Sequence, residues 1–272
     1  MVGAILLAFW LAPYFSGERL INPVLWSLGP LTLYWYGTLM ALAVVVGFAW
    51  LSREPRAQWL TEHLLYLVVW GVVGGMVGAR AGFVLLAWPS FVGQGAEIFN
   101  LQAGGLSIHG AVVGAALMLW WYCRRHRLAT LRVFDTLVPA LVLGQIIGRF
   151  GNFFNQEAFG PPTDLPWKMF VASPWRPVGL SEFEFFHPTF LYSALGLVVV
   201  LLIVLAVRRA SPYAGAAFLA YVVSYSGLRF AIEWLRVDSV VWGALTIAQW
   251  ASIALAILAG VIGLVLSRRR RV

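Results

Sequence analysis

Along this chain, apolar residues run in nearly unbroken stretches of about 20 positions, and short clusters of charged and turn-forming residues separate them. A helix of about 20 residues rising about 1.5 Å per residue crosses the ~30 Å hydrocarbon core of a bilayer. The pattern predicts seven spanning helices, over residues 31–51, 64–87, 106–123, 133–154, 188–207, 214–234 and 244–266. The alternation of a transmembrane barrel is absent, and no linker, low-complexity tract or internal repeat divides the chain. It therefore reads as one all-α polytopic membrane domain over 1–272, with 1–30 as an N-terminal interfacial segment and 155–187 as a loop region on the outer side. The opening "MVGAILLAFWLAP" is too short to span comfortably, and it lacks the basic start and small-residue cleavage site of a secretory signal. An interfacial or re-entrant segment is expected there.

Composition agrees with lipid as the solvent. Hydrophobic residues are 61% of the chain and charged ones 11%, against about 25% charged in a soluble domain. The 14 tryptophans suit anchors at headgroup level. Of the 19 Lys and Arg, twelve fall on one side of the predicted spans: Arg53, Arg56, Arg124, Arg125, Arg127, Arg132, Arg208, Arg209 and Arg268 to Arg271. The positive-inside rule makes that side cytoplasmic, so the N-terminus lies outside and the C-terminus inside. The net charge of +8 is thus mainly a topology signal, and nucleic acid is not an expected partner. Cys123 is the single cysteine and excludes a disulfide framework. Four scattered histidines and no clustered carboxylates suggest neither a metal site nor a cofactor.

Against this background Arg80, Arg149 and Arg229 stand out, because they lie inside apolar spans. Measured from the cytoplasmic ends of their helices, they rise roughly 24, 25 and 22 Å respectively. Tyr36 and His109, on helices that enter from outside, fall within the first two turns of the same face. Five residues on five helices are expected at one level near the outer surface. A charge in hydrocarbon normally faces a cavity or a partner, which makes such an arginine a functional candidate. Tyr225, Arg229 and Glu233 recur every four residues, so Glu233 can hold the guanidinium. Gln145, Arg149 and Asn152 share a face of the fourth span. The glycines of "GVVGGMVGARAG", "HGAVVG" and "GQIIGRFGN" permit close helix approach. Taken singly, each arginine also reads as a structural ion pair or a snorkelling anchor, His109 as a satisfied polar residue, and the glycines as packing. Their convergence points to a site.

"GGLSIHGAVVG", then "GRFGNFFNQEAFG", "HPTFLY" and "LRFAIEWLR", together resemble the bacterial prolipoprotein diacylglyceryl transferases, from about Tyr34 to the "TIAQW" of the last span. The resemblance implies a seven-helix enzyme of the bacterial cytoplasmic (inner) membrane, with its active site toward the outer face. Such an enzyme moves the diacylglyceryl group of phosphatidylglycerol onto the lipobox cysteine of prolipoprotein signal peptides. A thioether forms and glycerol phosphate is released. By motif position, Tyr36, His109, Arg149, Asn152, Glu157, Gly160, Tyr225, Arg229 and Glu233 correspond to residues that the family needs, while Arg80 and Asp135 match further recurrent polar positions. The pattern departs at Ala111, where the family has a second glycine, and at Phe190 and Ser193 after the histidine-proline pair.

The expected chemistry asks for these residue types. A thiol attacks the glycerol carbon that bears the phosphate, and the departing phosphate gains charge in a water-poor setting. Arginine stays protonated and matches phosphate with a planar fork. Arg149 and Arg229 are expected on the phosphate, and Asn152 and Asn155 as neutral donors to the headgroup. Tyr36, Arg80, Glu157 and Gly160 complete the expected lipid site, with Glu233 orienting Arg229 and Tyr225 on the same catalytic face. His109 is expected either to accept the thiol proton or to hydrogen-bond the headgroup. A transporter is the first alternative, but would place such residues near the midplane. An intramembrane protease is the second, and "SYSG" is only a faint echo of a serine motif. A monomer is expected, in contact with membrane lipids.

Overall fold

The computed structural model describes residues 10–29, 31–100, 104–210, 213–237 and 239–268. Residues 1–9 of the expected interfacial segment and Arg269 to Arg271 of the basic C-terminus lie outside the described residues. Among the described residues there are seven long helices: α1 Trp35–Arg53, α2 Thr61–Leu86, α3 Ile108–Arg125, α4 Thr130–Phe154, α5 Thr189–Ala210, α6 Ala216–Glu233 and α7 Ile247–Arg268. Each falls within a few residues of a stretch expected from the apolar pattern. Five of the helical stretches are long and apolar enough to cross a membrane: α1, α2 with the short turn before it, α4, α5 and α7. The two others, α3 and α6, have 18 residues each and carry His109, Arg124, Arg125, Arg229 and Glu233. The protein is a mostly helical, polytopic membrane protein.

The packing has the pattern of helices surrounded by lipid. On α7 the buried residues are Gln249, Ser252, Ala259 and Gly263, while Leu255, Ile257, Leu258, Val261, Leu264 and Val265 face outward. A soluble helix hides its large apolar side chains. Here they lie outside and the small and polar ones inside, as expected where hydrocarbon replaces water and close contact drives association.

The chain forms two compact units. One comprises the residues up to Gly47 together with those from Val138 onward; the other is Phe48–Leu137. In the second unit, α2 and α3 meet along glycines four residues apart. A Cβ on Gly78 would lie 2.7 Å from the Gly114 Cα, and one on Gly82 would lie 2.9 Å from the Gly110 Cα. Side chains at these positions would force the two backbones apart. Where α2 begins and α3 ends, the pair is packed by Leu60, Leu67, Tyr122, Cys123 and Val133.

In the first unit, Val138 and Val142 of α4 pack with Leu197, Val200 and Val204 of α5 and with Ala217 and Tyr221 of α6. A second cluster encloses the far end of α4: Leu11, Phe153, Phe154, Phe159, Met169, Val171, Phe186 and Phe190. Trp35, the first residue of α1, stacks flat on Phe154 with ring centroids 4.5 Å apart. This aromatic cluster fixes the end of α4 that carries Arg149 and Asn152. Three small antiparallel pairs were not anticipated from the apolar pattern: β1 Val24–Leu28 with β2 Leu31–Tyr34, β3 Met169–Phe170 with β4 Phe185–Phe186, and β5 Val241–Trp242 with β6 Leu245–Thr246. The middle pair lies in the expected 155–187 loop region and closes over the aromatic cluster.

Candidate active site

The first unit carries most of the expected residues, and the end of α4 organises them. The helix terminates in backbone bonds from Asn155 N to Gly151 O at 3.0 Å and from Glu157 N to Asn152 O at 3.0 Å. Gln156 (φ 48°) and Ala158 (φ 56°) are left-handed, a conformation that costs energy for side chains other than glycine. Their surroundings hold them there. The buried Gln156 Oε1 accepts from Ala172 N at 2.7 Å, and the Thr189 hydroxyl donates to the Ala158 carbonyl. The turn brings Glu157 back onto α4, where its Oε1 accepts from the Asn152 amide at 2.8 Å and from the Asn155 amide at 3.4 Å. Both asparagines are thereby oriented by one carboxylate.

Gly160 ends this turn. Its N–H donates to the His187 carbonyl at 2.9 Å, and a Cβ there would come 2.8 Å from the Leu235 carbonyl oxygen and 2.8 Å from the His187 Cβ. Expected among the lipid-binding residues, Gly160 serves here as a close-packing point that lets the 155–160 turn, His187 and the end of α6 meet. His187 is part of the same scaffold: its Nδ1 lies 3.1 Å from the Tyr192 hydroxyl, which also accepts from Trp167 Nε1 at 2.7 Å.

Helix α6 supplies the second group. Arg229 and Glu233 form an ion pair of 2.7 Å between Nη2 and Oε2. Glu233 is buried, and its Oε1 accepts from the Ser239 hydroxyl at 2.7 Å. One carboxylate therefore fixes the arginine and is itself fixed. One turn earlier, Tyr225 stacks against Tyr221 with centroids 5.5 Å apart, and the Tyr221 hydroxyl accepts from the Gln145 amide of α4 at 2.8 Å.

Arg149 joins the two groups. It interacts electrostatically with Tyr36, Tyr221 and Arg229, and Glu157 does so with Tyr36. Among the described residues Arg149 makes neither a hydrogen bond nor an ion pair. Tyr36 lies over Gly151, where a Cβ would meet its ring at 2.6 Å. Arg236, not among the expected site residues, acts electrostatically on Arg229. Arg236 lies just beyond the end of α6, where helical spacing does not reach. Gln145 and Tyr221 follow the spacing of four that marks Arg149 and Tyr225. Arg149 and Arg229 thus bring two guanidinium groups to this region, and among the described residues only Arg229 of the two has a carboxylate partner. Such a region can bind a phosphate through forked N–H groups, with uncharged amides beside it.

The second unit holds Arg80 and His109. His109 lies exposed on the first turn of α3, two residues after the N-cap Ser107, whose hydroxyl accepts from Gly110 N at 3.3 Å. Arg80, expected in the lipid site, is 8% exposed and donates to backbone carbonyls: Nε to Ile98 at 2.7 Å, Nη1 to Gly104 at 2.7 Å and Gly105 at 3.0 Å, and Nη2 to Glu97. No group of three or more potential metal ligands occurs among the described residues.

The family described as prolipoprotein diacylglyceryl transferase matches residues 23–266. The phosphatidylglycerol–prolipoprotein diacylglyceryl transferase of Synechococcus elongatus is 43% identical over 251 residues, covering 90% of this chain and 86% of its own length. The enzymes of the same name from Gloeobacter violaceus and Synechocystis are 40% and 39% identical, and cover 95% and 94% of the chain and 97% and 94% of their own lengths. The chain belongs to the prolipoprotein diacylglyceryl transferase family.

Proposed function

We propose that the protein transfers the diacylglyceryl group of phosphatidylglycerol to the cysteine thiol of a prolipoprotein lipobox. The reading rests on family membership, and the observation that carries it furthest is Arg149: a guanidinium within an apolar helix, unpaired among the described residues, in electrostatic reach of an arginine already fixed by Glu233. An unpaired arginine in lipid calls for an anion. In phosphatidylglycerol that anion is the phosphodiester.

The step proceeds by displacement at carbon. The thiol sulfur attacks the glycerol carbon of the diacylglyceryl group, and a carbon–sulfur bond forms as the carbon–oxygen bond to phosphate breaks. The electron pair of that bond leaves on the phosphate oxygen, so glycerol phosphate departs with one more negative charge than it carried as a diester. Arg149 and Arg229 bind its oxygens and gain strength as that charge develops, which is where preorganised donors contribute most. Asn152 and Asn155 donate to the headgroup, with Glu157 orienting them, and Tyr36 and Tyr225 line the same region. His109 takes the thiol proton, because a neutral thiol with an unperturbed pKa of about 8.5 is a weak nucleophile near neutrality.

By this reading all seven helices cross the cytoplasmic membrane, the N-terminus faces outward, and a monomer works on the outer leaflet on signal peptides presented there. Two measurements test it. Purified protein in phosphatidylglycerol vesicles should lipidate a lipobox peptide, and vesicles of phosphatidylethanolamine alone should give none; equal transfer from both lipids would reject the assigned headgroup. Cysteines introduced into the 124–132 loop should resist an impermeant thiol reagent in intact cells, and ready labelling would reverse the orientation.

A further inference from the structure

We infer that Arg80 is a positioning residue that locks the connection between α2 and α3 and thereby sets the start of α3, on which His109 stands. The inference rests on the reading above only for the role of His109; the lock itself is a matter of geometry. A guanidinium has five N–H groups, and here four reach backbone carbonyls on two separate stretches, Glu97 with Ile98 and Gly104 with Gly105. The Arg80 guanidinium carbon also lies 5.8 Å from the Phe83 ring centroid and 5.5 Å from that of Phe91. No adjacent pair of N–H groups remains to grip a phosphate in the bidentate manner for which arginine is suited. An arginine committed to carbonyls in this way is an anchor for backbone.

The sequence of the connection is built for this anchor. Gly104 (φ 77°) and Gly105 (φ 74°) are both left-handed, and this lets two successive carbonyls turn toward one nitrogen of Arg80. A Cβ on Gly105 would meet the Phe83 ring at 2.7 Å or less. Two residues on, Ser107 N donates to the carbonyl of Ala79, the neighbour of Arg80, at 2.9 Å, and the Ser107 side chain then caps α3. Only three residues separate the last anchored carbonyl, that of Gly105, from His109. Arg80, the double glycine and the serine cap form one continuous restraint on the orientation of the first turn of α3. Lysine retains the charge but concentrates its donors at one point, and cannot reach both stretches as the planar fork does.

The test uses the full-length purified enzyme and its Arg80→Lys and Gly105→Ala variants, the second disturbing the lock from the opposite side. Hydrogen exchange of the 104–110 peptide and transfer kinetics at varied phosphatidylglycerol are measured on each. Exchange in that peptide should accelerate about tenfold or more in both variants, the least expected from losing one charge-assisted bond. The kcat should fall at least as far, with KM for phosphatidylglycerol changed by less than about twofold, since chemistry and not lipid binding is disturbed. Unchanged exchange in either variant would overturn the lock. A raised KM with kcat preserved would return Arg80 to the lipid site and overturn the inference equally. Should the parent itself transfer nothing, the functional reading would fail, while the exchange measurement would still decide whether Arg80 holds the connection.

Discussion

Replacing Glu233 by glutamine isolates one charge at the centre of the site. The Glu233 side chain is 3% exposed and its carboxylate sits 2.7 Å from the Arg229 guanidinium, whose side chain is 27% exposed. Removing one partner of a fully buried pair costs about 3–5 kcal/mol, and an exposed pair is worth about 0–1 kcal/mol. With one partner buried and the other about a quarter exposed, the loss should lie between these limits, at about 2 kcal/mol. Glutamine keeps an oxygen for the 2.7 Å bond from Ser239 and much of the packing, so the change is chiefly electrostatic. If the pair serves to hold Arg229 for the phosphate, about 2 kcal/mol at the transition state corresponds to roughly 30-fold in rate. Transfer to a lipobox peptide at saturating phosphatidylglycerol measures it, with the thermal midpoint in detergent recorded alongside. The double variant with Arg229→Lys should lose little more than Arg229→Lys alone, because the two residues act as a unit. A Glu233→Gln enzyme within twofold of the parent rate, or losses that add fully in the double variant, would show that the carboxylate does not position Arg229.

Further outcomes follow from other parts of the structure. Arg149→Lys keeps the charge and loses the fork, so transfer should fall about 10²-fold or more with the protein still folded; near-normal rates would reduce Arg149 to a snorkelling anchor. His109→Gln should lower the rate by roughly 10² to 10⁴, and the deficit should shrink as pH rises toward about 8.5, where the substrate thiol ionises unaided. Parallel pH profiles for variant and parent would remove the base assignment. Gly114→Ala places a methyl group 2.7 Å from the Gly78 Cα and should destabilise the α2–α3 pair by about 1–3 kcal/mol, read as a lowered thermal midpoint. An unchanged midpoint would mean that the helices part without cost.

The helices were legible because lipid leaves the chain little choice. A backbone crossing hydrocarbon must satisfy its own hydrogen bonds, and the stretches that do so are apolar on every face. The α4 and α6 clusters were legible for a related reason: polar side chains are rare there, and the spacing of four that places Arg229 over Glu233 can be read without coordinates. The short strand pairs were not legible. Pairs such as Met169 with Phe186 are fixed by packing beneath Phe159 and Val171, which no local pattern records. Arg80 shows a different limit. An arginine in an apolar span announces that something compensates it, but a lipid phosphate and a set of backbone carbonyls make the same demand on the sequence. The clue lay at Gly104 and Gly105, whose paired left-handed conformations create the carbonyl nest. Gly160 was read as part of the lipid site on resemblance, and its contacts with His187 and Leu235 give it a packing role that spacing alone does not reveal.

The central claim is displacement at the glycerol carbon with phosphate as the leaving group, and the fate of the phosphorus tests it most directly. Phosphatidylglycerol carrying labelled phosphate and labelled acyl chains would be incubated with the purified protein and a lipobox peptide, and the products separated. The account predicts that the acyl label passes to the cysteine in a thioether, that all the phosphorus label leaves as glycerol phosphate in equal amount, and that Arg149→Lys suppresses both together. Phosphorus label retained on the peptide, or acyl label held in a thioester in place of the thioether, would contradict it.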